Sequence, residues 1–154
     1  MNTTKSLLLS FLLIHLSILP LFSTEITNLK VEYTETPLGI DIDCPRFSWQ
    51  MKSDTNGTYQ TAYRIIVTDE SGQTVWDTDK IKEDISLNIK YDGTVIQPCT
   101  RYHWKVTVWD EKEKEHTAQS WFESGLMNPY PPHASWGDAY WIGGGDEDMV
   151  LQLI

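Results

Sequence analysis

Residues that could perform acid–base chemistry fall in two carboxylate clusters of this 154-residue chain. Asp41 and Asp43 alternate with isoleucines in an extended segment, and the acidic residues 146–148 follow three glycines. General acid–base hydrolysis by a carboxyl pair needs one carboxyl kept protonated by burial beside another kept ionised. Neither cluster has an apolar surround that would do this. Both are therefore interpreted as solvated turns, and no catalytic residue is predicted.

The remaining candidates for metal or cofactor chemistry are histidines, acidic residues and a glycine run. The acidic pair Asp146 and Asp148 lacks the ligand count of a calcium loop, and residues 143–145 lack the glycine spacing of a dinucleotide fingerprint. The histidines have no metal-ligand spacing and are expected to be solvated, one on an outward strand face and one in a charged turn; they are His15, His103, His116 and His133. No metal and no cofactor is predicted.

Short segments with apolar residues at every second position predict the elements that position these side chains. Turn residues such as Gly, Pro, Asn and Asp separate the segments, and none of them has a helical period. The predicted strands are residues 28–33, 46–52, 60–69, 74–78, 85–89, 102–110 and 117–124. Seven such strands indicate an all-β, fibronectin type III-like or immunoglobulin-like sandwich.

The segment before the sixth strand supports this fold. Pro98 and Thr100 followed by Tyr102 are typical of a tyrosine corner, in which the Tyr hydroxyl bonds the backbone of the preceding turn. Trp49 on the second strand is expected to pack against this sixth strand. We predict structural roles for Trp49, Tyr63, Tyr102 and Trp104 in a core that also contains Val31, Phe47, Ile65, Val67, Leu87, Val106 and Val108.

The two cysteines, Cys44 and Cys99, precede strands that run in the same direction in such a sandwich. They are expected at one end of the domain, where they either form a disulfide or remain two thiols. Three further aromatic residues, Trp76, Trp109 and Trp121, are candidates for carbohydrate contact because exposed indoles can stack on sugar rings. The alternative for these tryptophans is packing between domains or burial at a sheet edge.

Both termini differ from the sandwich in composition. In residues 1–23, Lys5 precedes an apolar run and Ser23 suits cleavage, which is the layout of a secretory signal peptide. A signal anchor is the alternative, but the run is shorter than the ~20 residues that span a bilayer. We expect an exported, periplasmic or extracellular protein without a membrane span after signal removal. The formal net charge of −10 argues against nucleic acid as a partner.

After the sandwich, predicted over residues 27–126, residues 127–135 form a Pro-rich linker. Residues 136–154 then begin another apolar segment, which we interpret as the truncated start of a second β-domain. The chain is therefore predicted to be a fragment of a longer protein.

Several motifs, taken in order, resemble the N-terminal region of bacterial, Bacteroides-type α-L-rhamnosidases. They lie at residues 29–33, 37–41, 45–50, 60–67 and 102–110, and continue at 121–126 and 141–148. The resemblance implies a large secreted glycoside hydrolase in which a separate (α/α)6 barrel carries the catalytic carboxylates. This chain lacks that barrel and is expected to be inactive alone, as an accessory module that packs against the following domains. The alternative is a free-standing exported carbohydrate-binding or adhesion module, with rhamnose-containing glycans as partners.

Overall fold

Seven antiparallel strands build the part of the chain that the computed structural model describes, residues 23–127. They are β1 (Thr24–Val31), β2 (Arg46–Ser53), β3 (Gln60–Thr68), β4 (Thr74–Asp77), β5 (Ile89–Lys90), β6 (Arg101–Asp110) and β7 (Glu115–Glu123). Across residues 23–127 no helix is long and apolar enough to cross a membrane. The predicted signal peptide, linker and second domain lie outside the described residues, apart from their boundary positions.

The strands form two sheets, one of three strands in the order β1-β2-β5 and one of four in the order β4-β3-β6-β7. In the larger sheet Val67 is the partner of Trp104, and Trp104 is in turn the partner of Ser120. Side chains alternate between the two faces of each strand, so one face of each sheet is apolar. The two apolar faces pack together, and the all-β sandwich prediction is confirmed.

Aromatic rings fill the space between the sheets. Phe47 lies 4.9 Å from Trp104 in an edge-to-face arrangement, and Trp49 lies 5.3 Å from Tyr63. Ten of the eleven predicted core residues are buried. The core also contains residues that the sequence pattern does not predict for it, namely Ile26, Ile40, Tyr91, Ile96 and Phe122.

Leu87 is the exception, and its predicted core position is wrong. Its side chain is 62% exposed, and the strand predicted over residues 85–89 is reduced to β5, which begins at Ile89. Asn88 has a φ of 58° in the left-handed region. This conformation interrupts the alternation of an extended strand, so the side chain of Leu87 does not point to the same face of the sheet as that of Ile89.

The chain enters and leaves the described sandwich at opposite ends. At the amino end, Thr24 pairs with Ser53 and Gln60 pairs with Asp110. At the other end, Arg101 pairs with Glu123, the last residue of β7. We call this second end the exit end; it comprises the segments 37–44, 69–73, 91–100 and 123–127.

Candidate functional site

The tyrosine-corner geometry is present at the exit end. The Gln97 backbone N–H donates to the hydroxyl oxygen of Tyr102 at 2.8 Å, and the Tyr102 ring stacks on Phe122 with centroids 5.1 Å apart. Trp104 follows on the same inner face of β6 and is buried. These contacts fix the loop before β6 against the core.

Trp49 and Tyr63, the other two residues with predicted structural roles, are buried on β2 and β3. Trp49 Nε1 donates to the Gln60 side-chain oxygen at 2.9 Å. The amide nitrogen of Gln60 donates in turn to the carbonyl oxygens of Glu83 and Ile85. The indole therefore joins the core to the chain segment that leads into β5, an arrangement for which the sequence pattern contains no signal at Gln60.

The three tryptophans proposed for carbohydrate contact do not share one surface. Trp76 packs at the core edge, with ring centroids 5.1 Å from Tyr91 and 5.7 Å from Phe47. Trp109 and Trp121 lie on the outer face of the larger sheet. Their strand partners are Glu115 and His103, so the two indoles are separated by six residues of β6, about 20 Å. That separation is too large for both to stack on one sugar ring.

Each outer tryptophan is covered by a cation. Lys80 Nζ lies 4.2 Å from the Trp109 ring centroid, and the Arg101 guanidinium carbon lies 4.4 Å from that of Trp121. Such cation–π contacts contribute roughly 0.5–1 kcal/mol at exposed sites. Trp121 also borders a shallow hollow of about 510 Å³ that includes His103, Lys105 and Gln119. The hollow lies over the outer face of the larger sheet, where β3, β6 and β7 are neighbours.

Cys44 and Cys99 are both exposed, free thiols at the exit end. No bond joins the two sulfur atoms in this structure, and the choice between a disulfide and two thiols stays a prediction for a thiol titration. Cys99 has a φ of 49°, and its N–H donates to the Gly125 carbonyl oxygen at 2.8 Å. Its backbone is held by that contact, and its side chain is accessible to solvent.

His116 is a correction to the expectation of a solvated turn. It lies on β7 with its side chain only 6% exposed, and its Nε2 is 3.0 Å from Asp110 Oδ2. Burial raises the pKa of Asp110, but bonds from His116 and the N–H groups of Lys112 and Lys114 outweigh this and leave that pKa below its ordinary value. The pair fastens the β6–β7 hairpin, because the carboxylate holds both sides of the turn.

A network of backbone hydrogen bonds ties the last described residues to the exit end. The N–H of Ile40 donates to the Glu123 carbonyl oxygen and the N–H of Gly125 to that of Ile40, both at 2.9 Å. Buried Ser124 accepts from the N–H of Thr100 through its hydroxyl oxygen and donates to the Gln97 carbonyl oxygen at 2.6 Å. We call residues 37–41, 97–100 and 123–127 the exit clasp.

Asp41, one of the two carboxylates of the first acidic cluster, completes the exit clasp. Its Oδ1 accepts the N–H of Met127 at 2.6 Å. A Cβ at position 125 would lie 2.5 Å from that same oxygen, so Gly125 leaves the room that the carboxylate occupies. Asp41 therefore acts as a backbone acceptor. Among residues 23–127, no three His, Cys, Asp or Glu side chains cluster in a way that could hold a metal ion.

These features define an immunoglobulin-like β-sandwich module in which the hydrogen bonds of the exit clasp hold the last described residues, 123–127. The family model described as "Rha78A-like, N-terminal immunoglobulin domain" matches residues 26–128. The chain belongs to this family, in agreement with the resemblance seen in its motifs.

Proteins with similar sequences include several α-L-rhamnosidases. The chain is 40% identical over 117 residues to the enzyme of Streptomyces avermitilis, covering 72% of this chain and 11% of that protein. It is 32% identical to an α-L-rhamnosidase of Formosa agariphila, and the match covers 78% of this chain and 13% of that protein. The solved structure of the α-L-rhamnosidase from Dictyoglumus thermophilum superposes with a TM-score of 0.65 at 37% identity, covering 73% of this chain and 13% of that one. The chain thus spans about one eighth or less of these relatives.

Proposed function

We propose that this chain is the non-catalytic N-terminal accessory module of a secreted α-L-rhamnosidase and that it packs against the domains that follow it. The observation that carries the proposal is the family match over residues 26–128. In the related enzyme of S. avermitilis the corresponding region is 11% of the chain, so most of that enzyme lies outside this module.

The geometry of the described residues supports a scaffolding role. The carboxylate with the best-defined contacts near the chain's exit, Asp41, binds a backbone N–H, and buried Asp110 binds the β6–β7 hairpin. Both carboxylates act on this module's own backbone. Their arrangement stabilises loops at the two ends of the sandwich, and neither carboxylate is left free for acid–base chemistry on a substrate.

A domain exchange tests the accessory role. Residues 24–127 of this chain would replace the matching region of the S. avermitilis α-L-rhamnosidase, beside a version with that region deleted. We expect the exchanged enzyme to keep its activity on an aryl rhamnoside and to unfold at a higher temperature than the deletion. Equal behaviour of exchange and deletion would contradict the proposal.

The non-catalytic part of the proposal has its own measurement. The chain incubated alone with an aryl rhamnoside is expected to release no rhamnose above a heat-treated control. Export is tested by fractionating cells that express the whole chain and determining the N-terminus of the mature protein. We expect a mature N-terminus close to Thr24, the first residue of β1.

A second candidate function is glycan contact at the hollow beside Trp121. The supporting observation is that one half-buried indole adjoins the polar side chains of His103, Lys105 and Gln119. Titration with a rhamnose-containing oligosaccharide would follow Trp fluorescence in the parent and in Trp121→Ala. Saturable binding that Trp121→Ala abolishes, and that Trp109→Ala leaves intact, would favour this function.

A further inference from the structure

Six side chains on the outer face of the larger sheet combine an indole, an ammonium group and several hydrogen-bonding groups. Strand pairing arranges them in two rows of three, Ile66–Lys105–Gln119 and Thr68–His103–Trp121. The rows lie about 7 Å apart, and each spans about 10 Å across three strands. All six border the hollow of about 510 Å³, which we call the indole hollow. Because its floor is a sheet, these side chains stand at a regular spacing.

The charge at the indole hollow is opposite in sign to that of the chain. The chain has a formal net charge of −10, but no Asp or Glu of the described residues borders this hollow. Lys105 is exposed and makes no ion pair with another described residue. The two arginines on the same face are each paired, Arg64 with Asp77 and Arg101 with Glu123. Lys105 therefore leaves a positive charge that attracts an anion from outside the domain.

The hollow at the exit end has the opposite lining. It has a volume of about 670 Å³, and its border includes Asp69 and Glu70 but no Lys or Arg from the part of the chain that the structure describes. Both carboxylates already accept backbone N–H groups, those of Ser71 and Arg101 respectively. An anion is therefore repelled at the exit end and attracted at the indole hollow.

We propose that the indole hollow binds a sugar residue that carries an anionic group, either the carboxylate of a uronic acid or a sulfate ester. This inference rests on the second candidate function, glycan contact beside Trp121, and names the class of glycan. The Lys105 ammonium donates to the anion, and His103 and Gln119 bond the ring hydroxyls. Arg101 already lies over one face of the Trp121 ring, so the sugar contacts the part of the indole that borders the hollow.

Matched sugars test the need for an anion. Methyl glucuronide and methyl glucoside share one ring and differ only at C6, where the first has a carboxylate and the second a hydroxymethyl group; glucose 6-sulfate supplies the sulfate. Each would be titrated into the ¹⁵N-labelled whole chain, and the Trp121 indole N–H and the Lys105 amide would be followed by NMR. We expect at least one anionic sugar to bind about tenfold more tightly than the glucoside, because a charge-assisted hydrogen bond replaces a neutral one. High salt should reduce this difference.

Lys105→Gln should remove the preference for the anionic sugar and leave glucoside binding unchanged. The matched control is Lys90→Gln, which removes the charge of an exposed lysine on β5, in the other sheet. It should keep the preference, and both variants should unfold at the parent's temperature. Equal affinities for the three sugars, or equal effects of the two variants, would overturn the inference and leave glycan contact standing. Binding of none of them would overturn both. The enzyme exchange tests the accessory role separately.

Discussion

Removal of one hydroxyl, in Tyr102→Phe, tests whether the corner before β6 stabilises the module. The change keeps the ring and its stacking on Phe122 but leaves the Gln97 N–H without its acceptor at 2.8 Å. A buried donor left without a partner costs about 1–3 kcal/mol, and since this bond is only partly buried the lower end, about 1 kcal/mol, applies. In a domain of this size each kcal/mol lowers Tm by about 4–8 °C. We therefore expect Tm to fall by at least about 4 °C.

Tyr63→Phe is the matched control for this prediction. Tyr63 is equally buried in the core, and burial raises its pKa, but its hydroxyl makes no hydrogen bond to another residue in the described range. Thermal and urea unfolding, followed by circular dichroism, would be measured for both variants in parallel. A Tm for Tyr102→Phe that matches the parent, or equal losses in the two variants, would refute the argument from the hydrogen bond.

Three further predictions concern the hairpin, the exit clasp and the thiols. The pKa of Asp110 is lower in the folded chain than in the unfolded chain. Its contribution to stability is therefore present above about pH 4 and is lost as pH falls through the lowered pKa. Urea unfolding should show that Asp110→Asn destabilises the module at pH 7 and much less at pH 2. Gly125→Ala should displace the Asp41 carboxylate from the Met127 N–H. Hydrogen exchange of the Met127 amide should then be up to about tenfold faster, with little change in Tm. An unchanged exchange rate would contradict the role of the Asp41–Met127 hydrogen bond in the exit clasp. A thiol titration of the native protein without reductant should find two reactive groups, and none would indicate a disulfide.

Much of the fold follows from alternating apolar residues, because a half-buried strand imposes that period directly. The predicted strand over residues 102–110 lies within β6, which runs from Arg101 to Asp110. The pattern fails before β5 because a single left-handed residue, Asn88, changes the facing of Leu87 without changing the sequence period. Local backbone conformation of this kind depends on tertiary contacts, such as the bond from Tyr33 to Asn88.

The polar contacts are harder to predict for a different reason. The charged neighbours of His116 in sequence indicate a solvated turn, whereas its burial depends on Asp110 across the hairpin. The exit clasp joins residues more than eighty positions apart, as in the bond between Asp41 and Met127. No spacing rule connects such pairs. A glycine at position 125 is the one local sign of the close approach, and glycine is common in turns whether or not another group lies close to it.

The parallel pairing of Ile40 with Ser124 has a mechanical consequence. Because the described chain begins at the amino end and leaves at the exit end, tension applied to its two termini runs along the strands. The hydrogen bonds that hold residues 123–125 to residues 37–40 are then stretched side by side, in shear, so several must break together. Resistance to such force is set by the barrier to unfolding. We therefore expect the module to resist tension along the chain before its core opens.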